Sequence, residues 1–205
     1  MNTLIVSSDA PTTIQQALEI LNAGGLVAFP TDTVYGVGCL AFDGKAVESI
    51  YAAKDRPIEK AIPVLIADES DLDKVGTNVP EIAHKIASRF WPGPLTILVP
   101  KKPELPESVS SMETVGIRIP DHAVARALLR ATGPMAVTSA NISGQTSPST
   151  AEEVFDQLSG RIPLIIDGGK TPGGVPSTLV DCTGGNINIL RPGPVSLENL
   201  LSAAK

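Results

Sequence analysis

Short apolar runs and amphipathic stretches take turns along nearly the whole chain, and this alternation restricts the fold more than any other feature. Residues 26–30 (LVAFP), 62–67 (IPVLIA), 95–100 (LTILVP), 114–120 (TVGIRIP), 135–141 (MAVTSAN), 162–167 (IPLIID), 177–182 (STLVDC) and 187–193 (INILRPG) have the length and apolar content of strands. Segments with helical spacing lie between them. In residues 13–25, Ile14, Ala17, Leu18 and Leu21 share a face, and Gly24 and Gly25 supply a stop. Asp43 is placed to cap residues 44–54, where Val47, Ile50 and Tyr51 align. Residues 80–91, 121–132, 151–160 and 196–204 complete the helical set. This order predicts an α/β protein (α+β in some schemes) of three layers, with a twisted mixed sheet between helices. Only residues 101–113 and 143–150 read as long loops.

A chain of 205 residues with 42% hydrophobic content has core enough for one domain over residues 1–205. The formal charge of -6 and pI near 4.9 argue against a surface that tracks a nucleic-acid backbone, which needs clustered Lys and Arg. Cys39 and Cys182 lie far apart in apolar runs and, with only two histidines, match no familiar zinc spacing; reduced core thiols are expected. The N-terminus lacks the basic and long apolar regions of a secretory signal, and no run reaches the length of a membrane span. A soluble cytoplasmic protein, with no membrane partner, is expected.

Polar clusters sit just beyond the apolar runs. PTDT (residues 30–33), KDRP (54–57), SANISG (139–144) and RPG (191–193) all occupy such places, and Arg118 falls inside a strand-like run. Ligands of open α/β sheets bind in a crevice at strand ends, so these clusters are expected to converge. Lys54, Arg56, Lys60, Arg118 and Arg191, in the company of hydroxyls and an amide, suit a small polyanion. The alternative for each cation taken singly is a solvated or paired charge. An aromatic content of 3% speaks against stacked single-stranded bases.

Other motifs carry less. GGKT (168–171) resembles the end of a phosphate loop, but the earlier glycine that loop requires falls at Leu164 in a strand-like run. GVGCLA (36–41) fits a loose dinucleotide fingerprint, yet a loop precedes it and no helix opens there; it reads as a strand with close backbone approach. His84 and His122 fall in amphipathic helices, where surface or capping roles are expected. Asp32 and Asp43 are metal candidates on residue type alone and turn or cap residues on position.

Taken in order, FPTDTVYGVG, KDRP, TVGIRIP, SANISGQTSPS, STLVD and ILRPGPV resemble the YrdC-like domain of L-threonylcarbamoyladenylate synthases, from about Thr13 to Pro194. The resemblance implies a YrdC-like fold with a concave, basic cavity on the sheet. It also implies a nucleotidyltransferase that makes L-threonylcarbamoyl-AMP from L-threonine, bicarbonate and ATP and releases pyrophosphate. The product feeds threonylcarbamoyladenosine formation in tRNA beside the anticodon, through downstream tRNA threonylcarbamoyl transferase machinery. The chain resembles the short branch, which lacks an extra C-terminal domain.

Carried over by position, the resemblance gives Lys54 and Arg56 catalytic roles at the phosphates. On the same resemblance Thr33, Arg118, Ser139 and Ser177 are expected to bind L-threonine, and Arg56, Lys60, Thr114, Asn141, Ser149 and Arg191 to bind ATP. Mg²⁺ accompanies ATP, with no protein ligands assigned to it and no general base. Two departures stand out: Lys60 occupies a position where many relatives have Asn, and Leu65 lies near where some place a threonine-contacting His. Two other readings remain: a tRNA or double-stranded RNA binding module, and a carbamoyladenylate-forming domain of the hydrogenase-maturation kind. The charge leaves at most weak direct tRNA binding, and the acylphosphatase and Cys-rich zinc modules that accompany the second are absent from the sequence.

Overall fold

In the computed structural model, which describes residues 2–172 and 175–204, the apolar runs pair into one ten-stranded mixed sheet. The first run becomes β2 (Val27–Phe29) and the glycine-rich run after the polar stretch becomes β3 (Gly36–Leu40), its antiparallel partner. Gly36 and Gly38 let β7 (Met135–Ser139) approach β3 closely, as the sequence suggests. A Cβ on Gly38 would lie 2.6 Å from the Ala136 carbonyl oxygen, and one on Gly36 2.8 Å from Val137 Cγ1.

The remaining strands are β1 (Leu4–Ser7), β4 (Val64–Leu65), β5 (Leu95–Pro100), β6 (Thr114–Arg118), β8 (Leu164–Asp167), β9 (Thr178–Asp181) and β10 (Asn188–Arg191). Their order is β1-β8-β2-β3-β7-β4-β6-β5-β9-β10. Parallel pairs (β1 with β8, β8 with β2, β4 with β6, β5 with β9) are mixed with antiparallel ones. Across β4 the register sets Arg118, the last residue of β6, level with Leu65 and with Met135, the first residue of β7, while the other end of β7, Ser139, lies opposite Gly36.

Helices α1 (Thr13–Asn22) and α5 (Ala123–Thr132) pack on each other, with α1 also against β2, β3 and β8. α2 (Gly44–Lys54) lies against β3, α6 (Ala151–Leu158) against β8, and α4 (Glu81–Phe90) against β5 and α7 (Leu197–Ala203). α3 is a single turn, Leu72–Val75. Asp43 caps α2 by accepting from Ala46 N at 3.0 Å, and Cys39 and Cys182 are buried free thiols. Phe29, Tyr35, Ile50, Ile97, Ile117 and Ile165 lie in one buried cluster. No helix among the described residues is long and apolar enough to cross a membrane.

The structure departs from the sequence reading at β1, at α3 and at residues 62–67. β1 is half exposed and exists through parallel pairing with β8, some 160 residues away, a partner that local pattern does not reveal. Only Val64 and Leu65 of residues 62–67 pair as a strand. Residues 101–113 are a loop, but a tied one: Ile62 N donates to Val109 O at 2.9 Å, Tyr51 Oη to Ser108 O at 2.8 Å and Lys101 Nζ to Ser110 O at 2.7 Å.

Candidate active site

The PTDT stretch closes on itself. Thr31 Oγ1 donates to Val34 O at 2.7 Å, accepts from Thr33 N at 3.2 Å and lies 3.0 Å from Thr33 Oγ1. Both side chains are buried, so the hydroxyls hold a turn between β2 and β3 rather than facing bulk water. Tyr35 braces it from behind, donating to Gly169 O at 2.7 Å and accepting from Gly168 N at 3.2 Å. Onto this turn β6 projects its last residue. Arg118 donates through Nε to Gly93 O at 3.0 Å and through Nη1 to Thr33 Oγ1 at 3.1 Å, while Nη2 pairs with Asp32. Burial holds this guanidinium below its ordinary range, with Asp32 opposing the shift.

Two further arginines face the same space. The residue after α2, Asp55, takes a left-handed φ of 52°, and the chain folds back so that Arg56 donates to Lys60 O at 3.1 Å and Ala61 O at 3.0 Å. Arg191, at the end of β10, donates to Ser177 O at 3.0 Å and Ser177 Oγ at 3.2 Å, and Ser177 Oγ lies 2.7 Å from Thr96 Oγ1. Arg191 also pushes Arg56 and Arg118 downward, after the larger effect of burial. Together they line a cavity of about 330 Å³, with Thr33, Thr114, Ser139 and Ser177 among its polar groups. Leu65, Leu98, Val115 and Leu179 supply apolar wall, and no carboxylate or histidine is found among the described residues that line it. This is a pocket for an anion with an apolar portion.

Of the residues singled out in the sequence, Thr33, Arg56, Thr114, Arg118, Ser139, Ser177 and Arg191 come together in this cavity; Lys54, Lys60, Asn141 and Ser149 are outside its lining. Lys54 is buried, and Nζ is committed to the carbonyls of Ser139 and Asn141. Burial, then Arg56, pushes its amine down to about 7. Lys60 is exposed and contributes its carbonyl, which orients Arg56. Asn141 Nδ2 donates to Ile142 O and Gln145 O, leaving Oδ1 buried without a partner. Ser149 Oγ donates to Glu153 Oε2 at 3.1 Å at the start of α6.

Sequence reasoning missed the partner of Arg118. Asp32 is neither a cap nor part of a metal cluster; its Oδ1 holds the guanidinium. The available signal was charge balance, since an arginine within a buried strand-like run requires a carboxylate or several carbonyls. His122 also departs from expectation. It occupies the residue before α5, yet its side chain makes no capping bond, and its ring is partly buried. His84 is exposed on α4. Among the described residues no group of three or more His, Cys, Asp or Glu side chains is placed to hold a metal.

A family described as telomere recombination, Sua5/YciO/YrdC, matches residues 19–193. A curated relative, threonylcarbamoyl-AMP synthase of Bacillus subtilis (strain 168), is 46% identical over 91% of this chain and 55% of its own length. The chain belongs to the Sua5/YciO/YrdC family. It spans about half the length of that relative, and 87% of the putative threonylcarbamoyl-AMP synthase of Mycobacterium tuberculosis (strain ATCC 25618 / H37Rv), which is 40% identical over 91% of this chain. P. abyssi Sua5, solved in complex with L-threonine, superposes with a TM-score of 0.93 at 39% identity over 98% of this chain and 61% of its own. E. coli YciO superposes at 0.86 with 30% identity, over 98% and 100%. The mixed sheet is thus the sheet of the Sua5/YciO/YrdC fold, and Leu65 stands in the wall of this member's cavity.

Proposed function

We propose that the protein is a nucleotidyltransferase that forms L-threonylcarbamoyl-AMP from L-threonine, bicarbonate and ATP, releasing pyrophosphate. The observation that carries the reading is the cavity itself. Three arginines converge on it with no carboxylate among the described lining residues, and one of them is set against a threonine hydroxyl in a corner of its own. The relatives' names and the L-threonine complex of P. abyssi Sua5 support the assignment.

In this reading the amino acid enters the Arg118 corner, where the guanidinium takes its carboxylate and Thr33, Ser139 and Ser177 face the rest. ATP, as its magnesium complex, lies toward Arg56 and Arg191, with Thr114 beside it. The metal comes with the phosphates, since the described lining residues offer it no carboxylate. The neutral amine of L-threonine bonds to the carbon of bicarbonate-derived carbon dioxide, losing a proton and giving a carbamate. A carbamate oxygen then attacks the α-phosphorus, and the bond to the bridging oxygen of pyrophosphate breaks. No nucleophile from the protein is required. Positioning and charge stabilisation by the arginines supply the acceleration. Lys54 acts by fixing the β7 end that carries Ser139 and Asn141. The adenylate is consumed by machinery that modifies tRNA next to the anticodon, in the cytoplasm.

The test is pyrophosphate release by the purified protein with magnesium, ATP and bicarbonate. Release is expected only when L-threonine is present. Turnover without bicarbonate, or ADP as the nucleotide product, refutes the reading.

A further inference from the structure

Three buried side-chain polar atoms among the described residues have no hydrogen-bond partner: Asn141 Oδ1, Asp32 Oδ2 and His122 Nδ1. The last two belong to one neighbourhood. Pro30 and the His122 ring both approach Gly168, at 2.7 Å (Pro30 Cγ) and 3.7 Å (His122 Cε1) from where a Cβ would stand, and Asp32 is two residues from Pro30. Asp32 is also the strongest charge acting on His122, which burial otherwise holds below the ordinary histidine range. Orphaned polar atoms are rare in protein interiors because each forfeits its hydration without return. Two of opposite character, a carboxylate oxygen and an imidazole nitrogen, left open in one place indicate an interaction that forms in another state of the site.

We propose that His122 is a positioning residue for the amino-acid corner: its imidazole and the Arg118 guanidinium share the Asp32 carboxylate. When a substrate carboxylate takes hold of Arg118, Asp32 turns to His122 Nδ1. The inference rests on the reading that Arg118 receives the amino acid's carboxylate. In the free protein Arg118 Nη2 engages Asp32 Oδ1, so the carboxylate's charge is largely answered and burial holds His122 below its ordinary range. A bound carboxylate competes for the guanidinium, and the released Asp32 favours imidazolium, which takes its proton from solvent. The other charges around His122 do not provide this link. Asp121 is its chain neighbour and is not among the partners of Arg118, which are Gly93, Thr33 and Asp32; Asp167 is engaged by Gly169 N at 2.9 Å, and Arg126 is paired with Asp68. By linkage, amino-acid affinity must rise as pH falls through the titration of His122.

The sequence has two histidines, so proton NMR of the ring Cε1–H resonances resolves His122 with exposed His84 as internal reference. In the free protein, Asp32→Asn should lower the His122 midpoint and leave His84 unmoved; an unchanged His122 overturns the proposal. Saturating L-threonine should raise the His122 midpoint in the native protein and not in Asp32→Asn. Calorimetry should show affinity about threefold to tenfold stronger below that midpoint than above it, with the dependence lost in His122→Gln. L-threonine that binds without moving His122 refutes the proposal and spares the amino-acid reading. If L-threonine does not bind, that reading falls, and Arg118→Met decides the rest: it frees Asp32 without a ligand and must raise the His122 midpoint, an effect that Asp32→Asn/Arg118→Met must lose.

Discussion

Replacing Lys54 by Met separates what its charge costs from what its contacts contribute. Lys54 is 1% exposed, and burial, with Arg56 adding to it, pushes its amine from 10.5 down to about 7. The unfolded chain keeps its proton up to the ordinary lysine range, so between those values the folded state binds fewer protons than the unfolded one. Stability therefore rises with pH across that window, and this contribution is lost as pH falls toward 7. One fully differential proton is worth about 1.4 kcal/mol per pH unit, a ceiling of about 5 kcal/mol over the window. The carbonyls of Ser139 and Asn141 favour the ammonium and reduce this; about 0.5–1 kcal/mol per pH unit is expected between pH 7 and 9. Lys54→Met has no such proton, so urea unfolding at several pH values should show the wild type gaining on the variant by that slope. Tyr35, Cys39 and Cys182, whose raised values favour the folded state below their titration and cease to do so as pH climbs, are common to both proteins and cancel in the difference. A gap that stays constant from pH 7 to 9 would show that the two carbonyls fully offset the burial, and the reasoning fails. Activity should fall in the variant even where stability is matched, because the β7 end loses its tether.

Further perturbations test other parts of the account. Arg56→Ala should chiefly weaken ATP and Arg118→Ala chiefly L-threonine, each by on the order of 1.5–3 kcal/mol in calorimetry; equal losses of both ligands in both variants count against the division. Gly38→Ala forces a Cβ to within 2.6 Å of a carbonyl and should destabilise by about 1–3 kcal/mol in urea unfolding, whereas Gly184→Ala, with nothing within 4 Å, should stay close to wild type. Serine, lacking one methyl, should be a substrate roughly 10–200-fold poorer than threonine, and valine, lacking the hydroxyl, poorer still; valine outperforming serine in steady-state rates removes the polar pocket from the picture.

The fold was legible wherever an element is decided by its own residues. The apolar period of α1, the Asp43 cap of α2 and the glycines of β3 are local facts, and each appears in place. β1 escaped because its pairing partner is remote in sequence. In the site, residues at strand and helix ends such as Thr33, Arg56, Arg118 and Arg191 converge as the strand-end rule suggests. What the residue types do not reveal is direction. Lys54 and Arg56 are two positions apart, and the helix end between them sends one side chain to the β7 end and the other into the cavity. Asn141 likewise spends its amide on its own loop.

In the proposed function, direction also decides how one cavity would distinguish two anions. Three guanidiniums in an acidic chain repel one another, as the downward pressure of Arg191 on Arg56 and Arg118 shows. Only Arg118 of the three has a carboxylate companion; Arg56 leans on the carbonyls of Lys60 and Ala61, and Arg191 on Ser177. Carbonyls orient a guanidinium without cancelling its charge, so the Arg56 and Arg191 side keeps a full positive field suited to a triphosphate. The Arg118 corner is nearly neutral, and a carboxylate entering it exchanges for Asp32 rather than adding to a bare cation. A polyanion gains more from the first environment and a single carboxylate fits the second. In the proposed function the placement of Asp32 would therefore keep ATP from occupying the amino-acid corner, a discrimination that Asp32→Asn should erode by letting triphosphate compete with L-threonine for Arg118.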